Sequence, residues 1–293
     1  MLNAKNLNEE EFFYGHKACA GCGGSLGLRI ALKVLGPKTV AVLPAGCMSA
    51  VGFNYPQLCF SNNAIISTFA GTASMCTGVA AGLKAKEITD APVLGFAGDG
   101  GTGDIGLQAL SGAIDRNDNF IYICYDNEAY MNTGIQKSSL TPFGASTTTS
   151  PAVKGARGNL KTKKNLFEII AAHDIPYAAT ASIGYMQDFI NKIEKASKIQ
   201  GTKFIHLIAP CPTGWGIKVN ETVDVAREIV DTGLFYLAEY ENGKFSLTHK
   251  PTEFTDVRSY LLKQARFKHL TDEDIEIIVQ GRDKKWEKIL REW

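Results

Sequence analysis

The 293-residue sequence has no excess of either charge: 31 Lys and Arg stand against 30 Asp and Glu, a net of +1. No basic run is long enough to form a nucleic-acid footprint, which argues against a nucleic-acid partner. Long apolar runs are missing too. Gly, Ser and Thr interrupt them well short of the roughly 20 residues that cross a bilayer, so no membrane partner is expected. The amino-terminal "MLNAKNLNEEEFF" is acidic and polar. It lacks the charged n-region and apolar h-region of a secretory signal, and a cytoplasmic protein is expected. A second C-x-x-C and any ferredoxin-type cysteine run are absent. No internal repeat is evident.

The composition is that of a soluble globular protein, with 45% apolar and 21% charged residues, and the length suits one large domain or two ordinary ones. Apolar runs of strand length alternate with helical spacing. "TVAVLPAG" (39–46), "APVLGFAGDGG" (91–101), "NFIYICYDN" (119–127), "YAATAS" (177–182) and "KFIHLIAP" (203–210) predict strands. Residues 72–87, 104–117, 164–174 and 186–199 predict helices between them. Such alternation, with strands apolar throughout, predicts an α/β fold with a mainly parallel sheet covered by helices on both faces. Residues 137–165 form a polar insert with little periodicity, of a length more often functional than decorative. From about residue 240 the chain becomes charged and helical. Residues 1–240 are expected to form the main domain and 241–293 a C-terminal extension.

Gly98-Asp99-Gly100-Gly101-Thr102-Gly103 contains G-x-G-x-x-G between a strand and a helix, the position of a dinucleotide turn. Asp126, closing the next strand, would then be the ribose-binding acid. Asp99 opposes that reading, because its carboxylate would face a pyrophosphate of like charge. A divalent cation between them removes the repulsion, and Mg²⁺ commonly bridges carboxylate and phosphate. A second oxygen ligand is available in Asn127, at the end of the neighbouring strand.

Seven cysteines remain: Cys19, Cys22, Cys47, Cys59, Cys76, Cys124 and Cys211. A disulfide framework is not expected in a reducing compartment. Cys76 and Cys124 lie in core-like segments and read as buried thiols; Cys59 is undecided. Cys19 and Cys22 form a C-x-x-C among glycines, while Cys47 and Cys211 follow predicted strands. Four such thiolates suit zinc or a 4Fe–4S cluster. A thioredoxin-type dithiol explains the pair without the two singles.

Asp99 and Asn127 together form G-D-G-x₂₆-N, which resembles the pattern of thiamine-diphosphate enzymes. The resemblance implies that Asp99, Asn127 and the Ala129 carbonyl bind Mg²⁺, which holds the cofactor's diphosphate in the glycine loop of Gly98, Gly100 and Gly101. Thiamine chemistry builds an electron-rich adduct, so an oxidation needs an acceptor beside it. A cluster is one, whereas zinc has no accessible redox step. More closely, "GHKACAGCGGSLGLRIALK", "GFAGDGGTGDIGLQALSGAIDRN", "YICYDNEAYMNTGIQKSSLTPFGASTTT", "AAHDIPYAATAS", "APCPTGWG" and "FKHLTDEDI" resemble the β subunit of pyruvate:ferredoxin oxidoreductase and its 2-oxoacid relatives.

That resemblance implies a thiamine-diphosphate fold of the pyrophosphate-binding type, with 4Fe–4S ligands at Cys19, Cys22, Cys47 and Cys211. It implies an Asn at 132 that reaches the reacting centre, with a local Asx turn as the alternative. His16, just before the C-x-x-C, is placed either beside the cofactor or cluster or in a plain loop role. The implied reaction is oxidative decarboxylation of pyruvate with CoA to acetyl-CoA and CO₂, electrons passing to ferredoxin. Oxalate, 2-oxoisovalerate and aryl glyoxylates are alternative substrates, and a non-oxidative thiamine decarboxylase or lyase is a more distant one. The pyrimidine-binding domain, with its activating Glu, is implied to lie on a companion subunit, and further clusters on a ferredoxin-like subunit. Residues 48–75 resemble the family least.

Overall fold

The computed structural model describes all residues except Met1, Asn8, Glu10, Glu11 and Trp293. Glu10 and Glu11 of the acidic amino-terminal stretch therefore lie outside the described residues. An eight-stranded sheet forms the centre. Its strands in chain order are β1 (Val40–Pro44), β2 (Asn63–Ser67), β3 (Val93–Gly98), β4 (Phe120–Asp126), β5 (Tyr177–Ser182), β6 (Thr202–Ile208), β7 (Leu237–Glu241) and β8 (Lys244–His249). Their spatial order is β8-β7-β5-β6-β4-β3-β1-β2. The six strands from β5 to β2 are parallel, and β7 and β8 add an antiparallel edge.

The helices are α1 (Gly23–Leu35), α2 (Cys47–Gly52), α3 (Thr72–Ala85), α4 (Leu107–Asp115), α5 (Leu166–Ala171), α6 (Met186–Lys198), α7 (Pro212–Trp215), α8 (Thr222–Asp231), α9 (Val257–Leu262) and α10 (Asp272–Glu292). The two faces of the sheet follow from the strand period of two. In β4, Ile121, Ile123 and Tyr125 join a core with Leu28 and Leu32 of α1 and Phe189 and Ile193 of α6. Phe120, Tyr122 and Cys124 point the other way, into a core with Cys76 of α3, Leu110 of α4 and Phe167 of α5. Cys76 and Cys124 are thus packing residues, as their segments predict.

The parallel register brings strand ends level: Gly98 pairs with Tyr125, and Asp126 with Ile208. From β1 the chain moves outward to β2, then returns to place β3 on the other side of β1. The gap beyond the carboxyl ends of β1 and β3 is therefore a topological switch point, where open α/β sheets bind ligands.

The 240/241 boundary falls inside β7. Beyond it, β8 extends the main sheet, and Trp286 and Ile289 of α10 enter the core, with Trp286 Nε1 donating to the Gly233 carbonyl at 2.8 Å. Among the described residues no helix is long and apolar enough to cross a membrane.

Candidate cofactor site

The switch-point gap opens into a cavity of about 300 Å³. Gly98, Asp99, Gly100, Gly101, Asn127, Ala129 and Asn132 all line it, with Cys47 on the same wall. Sequence reasoning did not find Gly46, Tyr125, Tyr130 and Met131, which also line it, and of the divergent segment 48–75 it is Phe69 that does so. Between β3 and α4 the chain makes a wide π-type turn, Gly101–Ile105, with Thr102 Oγ1 donating to the Gly98 carbonyl at 2.8 Å. Gly100 lacks a side chain for a local reason. A Cβ there would lie 2.3 Å from the Tyr130 ring.

Asp99 is 1% exposed. Burial, then repulsion from Asp126, raises its pKa well above the usual carboxylate range, while the Ser138 hydroxyl donates to its Oδ2. The Asn127 amide end lies 2.9 Å from the Ala129 carbonyl oxygen and 3.0 Å from Asp99 Oδ1. With its NH₂ turned inward it donates to both. With its oxygen inward, three oxygens face one point, the donor set that Mg²⁺ prefers. A buried carboxylate needing positive charge, next to an amide and a carbonyl, fits a divalent cation.

This loop is clamped from behind. Glu128, between Asn127 and Ala129, has φ +67°, a left-handed conformation unusual outside glycine. Lys163 Nζ lies 2.6 Å from both Asp126 Oδ2 and Glu128 Oε1, and Arg266 reaches Glu128 Oε2 at 2.5 Å. His206 Nε2 is 2.7 Å from Asp126 Oδ2. Burial alone would raise the Asp126 pKa, but Lys163 and His206 outweigh it and hold the carboxyl below its ordinary value. Asp126 is therefore fully engaged inside the protein and does not face the cavity as a ribose-binding acid would. The polar insert 137–165 supplies Ser138 and Lys163, and also Thr141, whose hydroxyl donates to the Glu128 carbonyl at 2.7 Å.

Of the cysteines, Cys47 lines this cavity, and Cys19 and Cys22 line a separate groove. Cys22 caps α1, its Sγ accepting from Ser25 N at 3.5 Å, and Cys211 caps α7, accepting from Gly214 N at 3.4 Å. Cys47 is the first residue of α2. At Cys211 burial outweighs these backbone donors and raises the thiol's pKa. Burial raises the Cys47 pKa to about 12, and repulsion from Cys22, Cys211, Cys19 and Asp99 adds to it. Gly23 N donates to the Pro210 carbonyl at 3.1 Å, which brings the backbone segments of Cys22 and Cys211 together.

The glycines of the C-x-x-C allow close backbone approach. Gly21 has φ +71° and its Cβ would lie 2.1 Å from the Val219 oxygen; a Cβ on Gly23 would lie 2.7 Å from the Pro210 oxygen, next to Cys211. Among the described residues no three His, Cys, Asp or Glu side chains are close enough to hold a single metal ion. A cuboidal cluster asks for less convergence, because each thiolate binds its own iron. Cys59 is buried in the core, with Phe12 and Phe13. His16 stacks on Phe13 at 4.4 Å and shares an open groove with Cys19 and Cys22.

Residues 44–207 match the family described as thiamine pyrophosphate enzyme, C-terminal TPP binding domain. The chain is 52% identical over 268 residues to pyruvate synthase subunit PorB of Methanothermobacter thermautotrophicus, covering 91% of this chain and 93% of that one. It is 48% identical over 288 residues to ketoisovalerate oxidoreductase subunit VorB of Pyrococcus horikoshii, covering 96% and 93%. Its fold is similar to a chain of 2-oxoglutarate:ferredoxin oxidoreductase from Magnetococcus marinus, solved with 2-oxoglutarate, coenzyme A and succinyl-CoA bound. That likeness has a TM-score of 0.57 and 18% identity, over 75% of this chain and 78% of that one.

Proposed function

We propose, from the premise that this chain belongs to the β-subunit family of pyruvate and ketoisovalerate:ferredoxin oxidoreductases and carries their thiamine-pyrophosphate domain, that it binds thiamine diphosphate, Mg²⁺ and one 4Fe–4S cluster and oxidises pyruvate with CoA. The observation that carries this reading is the meeting of the Asn127 amide with Asp99 Oδ1 and the Ala129 carbonyl, within 3.0 Å, in a cavity that Cys47 also lines.

Asp99, Asn127 and Ala129 would hold the metal, and Gly98, Gly100 and Gly101 leave room for the diphosphate. Cys19, Cys22, Cys47 and Cys211 would hold the cluster. When bound, the thiamine group supplies the nucleophilic carbon for decarboxylation and the cluster accepts the electrons. The protein's own part is placement. Cys47, on the cavity wall, would lie between the two groups and keep the electron path short. Phe69, Tyr125 and Met131 are apolar walls that limit water, and Asn132 stands exposed at the cavity mouth, in reach of an entering 2-oxoacid. Residues 1–240 would carry these groups, with 241–293 bracing the metal loop through Arg266.

Among the described residues Asp99 is the only carboxylate on this cavity's wall. The acid that activates the pyrimidine would come from a companion subunit, and a ferredoxin-like subunit would pass electrons on to ferredoxin. A branched substrate is a second reading, favoured by the 48% identity to the ketoisovalerate subunit. The test is anaerobic purification with iron, acid-labile sulfide and thiamine analysis. About four irons, four sulfides and one thiamine per chain are expected. Zinc without sulfide, or tight NAD binding, would refute the reading. The ratio of kcat/KM for pyruvate and 2-oxoisovalerate in the assembled enzyme then decides the substrate.

A further inference from the structure

A second cavity, of about 290 Å³, lies on the far side of the metal loop, beneath α10. It belongs to none of the cofactor sites above. Its wall is mostly aromatic and aliphatic, including Phe167, Phe235, Phe267 and Ile278. Among the described residues five cationic side chains line it against one acid, Glu128. Four of the five are neutralised. Lys163 and Arg266 hold Glu128, Lys164 lies 3.4 Å from Asp104, and Arg282 lies 2.7 Å from Asp283.

Lys285 is the fifth. Among the described residues it makes no ion pair, and its ammonium sits 4.4 Å from the centroid of the Tyr236 ring. Lys285 is half-buried, and partial desolvation, with Lys163 adding repulsion, lowers its pKa to about 8; Glu168, the acid that opposes this, is itself paired with Lys288 at 2.8 Å. The second orphan is Tyr260, 3% exposed, whose hydroxyl has no hydrogen-bond partner among the described residues. Gln264 beside it is engaged elsewhere, its amide donating to the Tyr260 carbonyl at 3.2 Å and accepting from Arg266 Nε at 2.9 Å.

An unpaired ammonium and an unpaired buried hydroxyl both cost stability, and an apolar cavity between them has no structural need of either. One ligand satisfies all three features. A single negative charge suits the single unpaired cation. Two oxygens suit an ammonium and a hydroxyl donor. An apolar body suits the wall. The volume admits about ten water-sized groups, a small molecule.

We propose that this cavity is a binding site for a small monocarboxylate with an aliphatic or aromatic body, its carboxylate received by Lys285 and Tyr260. The site stands independently of the cofactor assignment, and its test does not use enzyme activity. Isothermal titration of the full chain with hexanoate and phenylacetate should give saturable one-to-one binding. The matched alcohols, hexanol and 2-phenylethanol, should bind at least about tenfold more weakly, as loss of a charged hydrogen bond requires. Lys285→Met should lower carboxylate affinity by a similar factor, and Tyr260→Phe by a smaller one. Ile278→Trp, which fills the cavity and keeps the charge, should abolish binding. Asp99→Asn should leave it unchanged. Thermal unfolding of each variant identifies any that fail to fold. No saturable binding by either carboxylate, equal binding of acids and alcohols, or wild-type affinity in folded Lys285→Met or Ile278→Trp would overturn the proposal.

Discussion

Arg266 and Glu128 lie 138 residues apart and form a buried ion pair, with side chains 4% and 2% exposed. The guanidinium also stacks 3.9 Å above the Trp215 ring, and Trp215 Nε1 donates to the Asn127 carbonyl at 2.8 Å. Arg266 thereby fixes the 127–129 loop twice, once through Glu128 and once through Trp215. Glu128 has no intrinsic reason to adopt its left-handed conformation, which costs about 1–2 kcal/mol on its own. The clamp holds it there, so that the Asn127 side chain and the Ala129 carbonyl face the cavity together.

Removing Arg266 should therefore act on both stability and cofactor binding. Arg266→Gln is expected to cost about 2–4 kcal/mol in urea unfolding, below the full cost of a broken buried pair because Lys163 still holds Glu128. Mg²⁺-dependent thiamine-diphosphate affinity should fall with it. Arg266→Lys should rescue little, since an ammonium lacks the planar fork and the stacking surface. Wild-type cofactor affinity in Arg266→Gln would show that the loop keeps its shape without the clamp.

The proposed metal site predicts two severities. If Asp99 is a direct ligand as proposed, Asp99→Ala should abolish thiamine-diphosphate binding while the iron content stays at the wild-type level. Ser138→Ala removes only the hydroxyl that orients Asp99, and about a 10–100-fold weaker metal affinity is expected. Equilibrium dialysis with Mg²⁺ and the cofactor measures both. Asp99→Ala binding as tightly as wild type would remove Asp99 from the metal site.

Much of this was legible in the sequence, for identifiable reasons. Central parallel strands are buried on both faces, so β3 to β6 appear as apolar runs. The glycine loop and Asn127 follow such strands directly. Edge strands give no such signal. β2 is largely half-exposed, and β8, "KFSLTH", alternates exposed and half-buried residues within a charged stretch, so the chain after 240 looked like a tail. The clamp was not legible either. Lys163 lies in an insert without periodicity and Arg266 in a short 3₁₀ turn, and neither position is marked by spacing. Only the fold brings them behind Glu128. The acids flanking Asn127 were the available hint, because two carboxylates beside a metal loop must find cations.

The active site should be divided between subunits. Among the described residues the cofactor cavity has one wall carboxylate, Asp99, and in the proposed reading that group would hold the metal. The purified chain, loaded with thiamine diphosphate and Mg²⁺, should show no detectable oxidation of pyruvate or 2-oxoisovalerate with a viologen acceptor. Adding the companion subunits should restore it. Turnover by this chain alone, at a rate comparable to the assembled enzyme, would refute the divided site.

The cysteines separate into two groups by position, and substitution should separate them by effect. Cys22, Cys47 and Cys211 sit at helix starts, with Cys47 on the cofactor cavity's wall, and Cys19 is exposed just before Cys22, whose N–H donates to the Cys19 carbonyl at 3.1 Å. Each Cys→Ser change among these four should lower iron and sulfide content and weaken or abolish the electron paramagnetic resonance signal of the dithionite-reduced protein. Cys76 and Cys124 are wholly buried on the opposite face of the sheet, in apolar surroundings that keep both thiols protonated. Serine there places a hydroxyl in an apolar core, and a stability loss of about 1–3 kcal/mol is expected with the cluster signal intact. Cys59 belongs with this second pair by burial, although it lies on the same face as Cys47. An intact signal and iron count in Cys211→Ser would place the fourth ligand elsewhere, and Cys59 would then be the residue to change next. Loss of the signal in Cys124→Ser at unchanged stability would contradict the division itself.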